Sequence, residues 1–292
     1  MKTAVNAPLD DLNMNVGAMK LASAHLAMVS EEYRAYLQAG DRYVIMDGST
    51  KELGPQVPFE ELIELIEALK PHEVVLPYIS KDKDATYEAA MDFYNYYMQD
   101  LSYRPSIMAV AQGTTHGEWM ESYNSWLDLE FVDVIGVPND IDFVTSTRGP
   151  KLETLGPVEK RSYNRRNLVH EVYYSSRNKP IHLLELNNLG EIELLRDCGA
   201  NKSGFIRSVG TTAPFSSAIS GSDWSTLSSE EKHFETNFKP LDYEHVWDPE
   251  TKARAYRNLM TLAESTGDHS ISYNLGRISV QDEVIQPKEN HE

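Results

Sequence analysis

Residues 43–80, YVIMDGSTKELGPQVPFEELIELIEALKPHEVVLPYIS, decide the fold. Tyr43–Asp47 (YVIMD) is a short apolar run that ends in a carboxylate. Pro58–Lys70 (PFEELIELIEALK) repeats Leu and Ile at helical spacing and closes on Lys-Pro, which predicts a helix. Glu73–Ile79 (EVVLPYI) is a second apolar run. Near-continuous apolar strands joined by an amphipathic helix are what a parallel sheet covered on both faces requires. The unit recurs at Ser106–Gly113 (SIMAVAQG), Val132–Pro138 (VDVIGVP), Pro180–Leu186 (PIHLLEL) and Phe205–Thr211 (FIRSVGT). So many repeats in one chain predict a single (β/α)8 TIM-type barrel. Chemistry in such a barrel sits at the carboxyl ends of its strands. The strand tips therefore name the candidate site: Asp47, Tyr78, Gln112, Gly113, Gly136, Glu185 and Gly210.

Outward from these runs, Met19–Ala39 is rich in Ala, Leu and Tyr and reads as mainly helical, with Gly40 as its stop. Asp84–Gln99 and His116–Leu127 read as crossover helices, as do Ser162–Ser176 and Leu189–Cys198. Asp248–Ser265 reads as a C-terminal helix with Pro249 at its start. Asp140–Val158 has no periodicity and many Thr, Ser, Gly and Pro residues, so it is expected as a long loop inserted after a strand end, overhanging the site. The expected organisation is an irregular lead-in over 1–15, a barrel over 16–276 and a polar tail over 277–292.

The 292 residues fit one barrel, and 41% apolar with 25% charged residues is ordinary globular composition. No apolar run approaches the ~20 residues that span a bilayer. The N-terminus lacks a charged-then-apolar signal pattern, so a cytoplasmic location is expected. The single cysteine, Cys198, excludes an internal disulfide and a multi-cysteine zinc site. Net charge is −18, which argues against nonspecific coating of a polyanion. Against that, Arg148, Lys151, Lys160, Arg161, Arg165 and Arg166 form a basic island broken only by Glu153 and Glu159. Such an island can meet phosphates while the acidic body discourages nonspecific binding; a solvated helix face is the alternative.

Asp47, next to Gly48, can activate water or stabilise an oxocarbenium ion, or simply cap the following segment. Gln112 offers an amide that donates and accepts, and Gly113 beside it lets a flat ring approach. Tyr78 can stack on an extruded base. His25, among Ala and Leu (ASAHLAM), is a further site candidate, whereas His182 in IHLLEL reads as structural. Glu185 offers a second carboxylate or a helix cap. Asp140 and Asp142 (PNDIDF) open the long loop, but two carboxylates do not make a metal site, and neither metal nor cofactor is expected.

Taken in order, these tips resemble the tRNA-guanine transglycosylase superfamily, most closely its phage and bacterial branch that inserts 7-deazaguanine bases into DNA. The resemblance rests on Tyr43–Gly54 (YVIMDGSTKELG), Val74–Ala90 (VVLPYISKDKDATYEAA), Met108–Tyr123 (MAVAQGTTHGEWMESY) and Ile181–Pro214, and spans roughly residues 16–265. It implies a barrel in which one aspartate attacks the anomeric carbon and another acts as acid and base. It places Asp47 at the acid/base position, Gln112 and Gly113 at a base-reading position, and Gly136 at a backbone-contact position.

Two departures alter the chemistry that the resemblance implies. The nucleophilic aspartate is expected after Arg207-Ser208-Val209, where this chain has Gly210, and a glycine cannot form a glycosyl-enzyme intermediate. The base-reading aspartate is expected after Leu76-Pro77, where this chain has Tyr78. The volume missing at Gly210 is read as room for a water or a bulky base. The expectation is a glycosylase that flips a modified base out of nucleic acid, with DNA favoured over tRNA, and hydrolyses its N-glycosidic bond. A base-exchanging transglycosylase and an inactive nucleic-acid-binding relative are the alternatives.

Overall fold

The computed structural model describes residues 1–48, 56–143, 156–175, 177–186, 189–196, 198–228, 241 and 246–275. Eight strands follow in chain order: β1 (Lys2–Val5), β2 (Met19–Ser23), β3 (Tyr43–Asp47), β4 (Glu73–Val75), β5 (Ser106–Val110), β6 (Val134–Val137), β7 (Ile181–Leu183) and β8 (Ile206–Thr211). Each pairs in parallel with its sequence neighbour, and β1 pairs with β8, so the sheet closes into a (β/α)8 TIM barrel. The six apolar runs are β3 to β8.

Two expectations about the first 40 residues are corrected. The lead-in over 1–15 contains β1, which closes the barrel by pairing Ala4 with Met19 on one side and with Gly210 on the other. Met19–Ser23 is not helical but forms β2, hydrogen-bonded along β3 from Met19–Tyr43 to Ser23–Asp47. Its residues (MKLAS) favour helix by propensity, and tertiary pairing overrides them. Lys20 shows what the strand gains. Its side chain points outward, fully buried, and Nζ donates to the carbonyls of Tyr36 and Ala39 at 2.6 Å and of Leu37 at 3.2 Å. It thereby caps the helix that follows, and burial, with Arg42 nearby, lowers its pKa to about 8.

The helices fall close to their sequence marks. The expected N-terminal helix survives as α1 (Ala24–Val29) and α2 (Glu31–Gln38), divided at Ser30, whose Oγ accepts from Tyr33 N at 3.1 Å. They are followed by α3 (Phe59–Leu69), α4 (Lys83–Tyr96), α5 (His116–Leu127), α6 (Pro157–Tyr173), α7 (Leu189–Arg196), α8 (Gly199–Lys202), α9 (Ala213–Ile219) and α10 (Pro249–Thr266). The long loop ends earlier than its composition suggests, because Pro157 opens α6 and the Glu159 carboxylate accepts from Gly156 N at 2.8 Å. Residues 144–155 and the tail from 276 lie outside the described residues.

Alternation divides each strand between two cores. Ala4, Met19, Ile45, Val75, Met108, Val110, Val134 and Leu184 fill the lumen, with Leu21, Tyr43 and Tyr78 against them. Outward residues pack under the helices, with Trp119, Trp126 and Trp224 wholly buried. The amino end of the lumen is plugged across the barrel. Arg207 of β8 grips Glu73 of β4 with both guanidinium nitrogens, and Tyr43 Oη donates to the same carboxylate at 2.9 Å. Among the described residues, no helix is long and apolar enough to cross a membrane.

Candidate active site at the carboxyl end of the barrel

Asp47 follows Tyr43 and Ile45 on the inward face of β3 and is nearly buried, at 6% exposed. Its register partner is Ser23, inward on β2 after Met19 and Leu21, whose buried Oγ has no hydrogen-bond partner among the described residues. The next tip carries Tyr78, half-buried against the lumen cluster. Beyond it, Gln112 is 2% exposed and its amide oxygen accepts from Lys81 N at 2.8 Å, which leaves the NH2 as the group it can offer a ligand. His25, half-buried in α1, stands two residues past the end of β2. Asp47, Tyr78, Gln112 and His25 thus share the rim of β2 to β5.

Glu185 rises from the opposite wall, after β7, with φ of +50°. That left-handed conformation costs a non-glycine residue about 1–3 kcal/mol and persists only where its neighbours impose it. Here they do: Leu184 N donates to Val137 O at 3.0 Å and Leu186 N donates to Gly210 O at 2.9 Å. Glu185 is therefore held on the rim rather than serving as the first residue of α7.

The glycines behave differently from the expectation. A Cβ on Gly113 would lie 2.6 Å from Trp119 N, so the glycine is required by the close approach of α5, not by a flat ligand. Gly136 faces inward between Val110, Leu184 and Met108, and its carbonyl accepts from Ala111 N at 3.1 Å inside the sheet. Its oxygen is committed to the ladder and does not reach the rim. At Gly210 a Cβ would stand 3.0 Å from His182 Nε2 and 3.4 Å from Leu21 Cδ2. The space expected to hold a water or a base at that position is bounded by an imidazole.

His182, which the sequence reads as structural, also faces the lumen. It lies wholly buried on the inward face of β7, and a bulge in the β7–β8 pairing sets it opposite Ser208, leaving Arg207 as the extra residue. His182 Nδ1 is 2.8 Å from Ser208 Oγ, and Arg207 Nε donates to the same oxygen at 3.2 Å. Burial above all, with the charges of Arg207 and Arg165 adding to it, lowers the imidazole pKa to about 3, so the ring is neutral. The alternation of His182 with Leu184 in IHLLEL was the available signal.

The basic island divides. Arg165 is 1% exposed, donating to both carboxylate oxygens of Glu191 on α7 and, at 2.6 Å, to Leu184 O. It braces the tip of β7 from behind and cannot meet phosphate, which corrects its assignment. Arg161 donates to Asp142 at 2.6 Å, and Lys81 pairs with the same carboxylate. Burial pushes Asp142 up, but the hydrogen bonds from Lys81 and Arg161 outweigh it and hold the carboxyl below its usual pKa. Ser80 Oγ donates to Asp140 at 2.7 Å, so a polar strap joins the loops after β4 and β6 above Gln112. Lys160 and Arg166 are half-buried on α6, and Arg148 and Lys151 lie outside the described residues. Among the described residues no group of three or more His, Cys, Asp or Glu side chains is placed to hold a metal ion.

No protein-family model matches the chain, and no curated protein sequence matches it. Among solved structures, the dihydrodipicolinate synthase of Thermotoga maritima is similar at 15% identity and a TM-score of 0.36, over 90% of this chain and 97% of that one. So distant a likeness says nothing of substrate or chemistry here. The transglycosylase resemblance stands on the quoted residues alone.

Proposed function

We propose that this barrel cleaves a nucleobase N-glycosidic bond, excising a modified base from nucleic acid, with DNA preferred over tRNA. One observation carries the reading: Asp47 is a nearly buried carboxylate at a strand's carboxyl end, on a rim shared with Tyr78 and Gln112. In this reading Tyr78 stacks on the flipped base and Gln112 hydrogen-bonds its edge. Asp47 takes a proton from water as the oxygen attacks the anomeric carbon. The C–N bond breaks, its electron pair leaves with the base nitrogen, and that nitrogen is protonated from solvent. Hydrolysis needs no covalent nucleophile, which fits glycine at position 210.

Base exchange is the second reading, and Glu185 favours it, being a carboxylate held on the opposite wall in a strained conformation. The test is incubation of the purified protein with duplexes and tRNA carrying different modified bases, scoring abasic sites, released base and incorporated base. Abasic sites support hydrolysis; incorporation without abasic sites supports exchange. Asp47→Asn should keep fold and binding while lowering base release by about 10²–10⁴. No base released from any substrate, with Asp47→Asn changing nothing measurable, would leave only a binding protein.

A further inference from the structure

We infer that His182 is a base-reading residue, presenting a fixed N–H donor from Nε2 to an acceptor atom on the base, a carbonyl oxygen or an unprotonated ring nitrogen. The inference rests on the N-glycosidase reading for the identity of the ligand, and on the hydrogen bonds around the ring for the donor. Arg207 Nε always carries its proton, so Ser208 Oγ is an acceptor in that contact at 3.2 Å. The Ser208 hydroxyl then needs an acceptor of its own, and His182 Nδ1 at 2.8 Å is the one within reach among the described residues. Nδ1 is therefore the unprotonated nitrogen, and Nε2 carries the hydrogen of the neutral ring.

That N–H is buried, has no partner among the described residues, and points at the inner face of Gly210. An uncompensated donor inside a barrel is costly, and folds retain one where something else supplies the acceptor. Any larger residue at 210 would cover it; glycine leaves Leu21 Cδ2 as the other near neighbour, a flexible side-chain end. Behind the ring, Ser208, Arg207, Glu73 and Tyr43 form a continuous hydrogen-bonded chain to the plug at the far end of the lumen. The donor is thus aimed by a rigid network, one strand level below the rim that carries Asp47 and Glu185.

The experiment uses the full-length protein, ¹⁵N-labelled, with His182→Phe to assign the ring signals. Long-range ¹H–¹⁵N spectra should show His182 protonated at Nε2; a ring protonated at Nδ1 overturns the inference. Deoxyguanosine, 7-deaza-deoxyguanosine, deoxyadenosine, deoxycytidine and thymidine are then titrated in turn. At least one should shift the Nε2 signal. For that nucleoside, an analogue lacking the acceptor should bind roughly tenfold more weakly to the wild type. The same analogue should lose nothing on His182→Phe. If that variant fails to fold, Gly210→Ala, which covers the N–H without removing it, should abolish the discrimination instead. Abasic-site formation is scored on the same preparations. A protein that excises bases while its ring signal never moves overturns the His182 inference and keeps the enzyme reading. A ring that responds and discriminates, in a protein that cleaves nothing, keeps His182 and removes the enzyme reading.

Discussion

What surrounds a glycine decides what replacing it costs, and two glycines at this rim make the contrast measurable. The Cβ of Gly113→Ala would meet backbone, Trp119 N at 2.6 Å and Glu118 C at 2.9 Å, so α5 itself must move. At Gly210 the neighbours are side-chain ends, His182 Nε2 at 3.0 Å and Leu21 Cδ2 at 3.4 Å. Overpacking costs about 1–3 kcal/mol. Chemical denaturation should place Gly210→Ala at the low end of that range and Gly113→Ala at or beyond its top; the reverse order would refute these packing distances. His182 carries a second residue-scale expectation. Its folded pKa of about 3 lies below the ordinary 6.5 of the unfolded chain. Above pH 6.5 both states hold the ring neutral and nothing is lost. As pH falls from 6.5 toward 3 the unfolded chain takes up a proton that the folded one refuses, so stability declines. The slope from this one group approaches about 1.4 kcal/mol per pH unit. Between pH 6 and 5, above the range where most carboxylates titrate, His182→Phe should flatten the decline relative to wild type. Parallel stability curves for the two proteins would mean that the ring is not held neutral.

At the scale of elements, α6 separates two kinds of arginine. Arg165 is 1% exposed and ties α6 to α7 and to the tip of β7 through Glu191 and Leu184 O. Removing one partner of a buried pair leaves an uncompensated charge, so Arg165→Met should cost about 3–5 kcal/mol, and Arg165→Met with Glu191→Leu should recover most of it. Arg161→Met breaks only a half-exposed pair and should cost about 0–1 kcal/mol, read from the same denaturation midpoints. A small loss at Arg165 would mean that α6 does not brace the β7 tip. Sequence alone could not separate these arginines: four residues apart they lie on nearly the same helix face, and the difference is that the turn of Arg165 packs against α7 and the β7 tip while the turn of Arg161 meets Asp142. The same physics decides the legibility of the strands. β3 to β8 announce themselves by apolar runs next to turn residues. β1 (KTAV) is too short to carry a pattern, and β2 (MKLAS) is built of helix formers whose strand conformation comes from pairing with β3. At the candidate site, the strand-tip positions of Asp47, Tyr78, Gln112 and Glu185 were legible because strand ends are marked in sequence. The placement of His182 against Ser208 was hidden because it depends on the bulge in the β7–β8 pairing.

For the whole molecule, a net charge of −18 opposes any polyanion, so the proposed nucleic-acid binding would be local and shallow in its salt dependence. Arg165 is internal, which leaves Lys160, Arg161 and Arg166 as the described cations of the island. Arg161 and Lys81 already share the Asp142 carboxylate. Each phosphate neutralised contributes about −0.9 to the slope of log K against log salt on duplex DNA. Replacing Arg161 and Arg166 together with Gln should therefore make the slope shallower by about one unit for each phosphate no longer neutralised, measured by anisotropy on a labelled duplex. Asp142→Asn gives the opposite sign from the same strap. Freed of the carboxylate, Lys81 and Arg161 become available to phosphate, so binding should tighten at low salt and the slope should steepen by about one to two units. Opening of the strap alone, with no phosphate engaged, would instead leave the slope unchanged and loosen the loops after β4 and β6. If both variants match the wild-type slope, α6 is a bystander surface. The proposed substrate would then reach Asp47 either as a free nucleoside or along a path through residues outside this island.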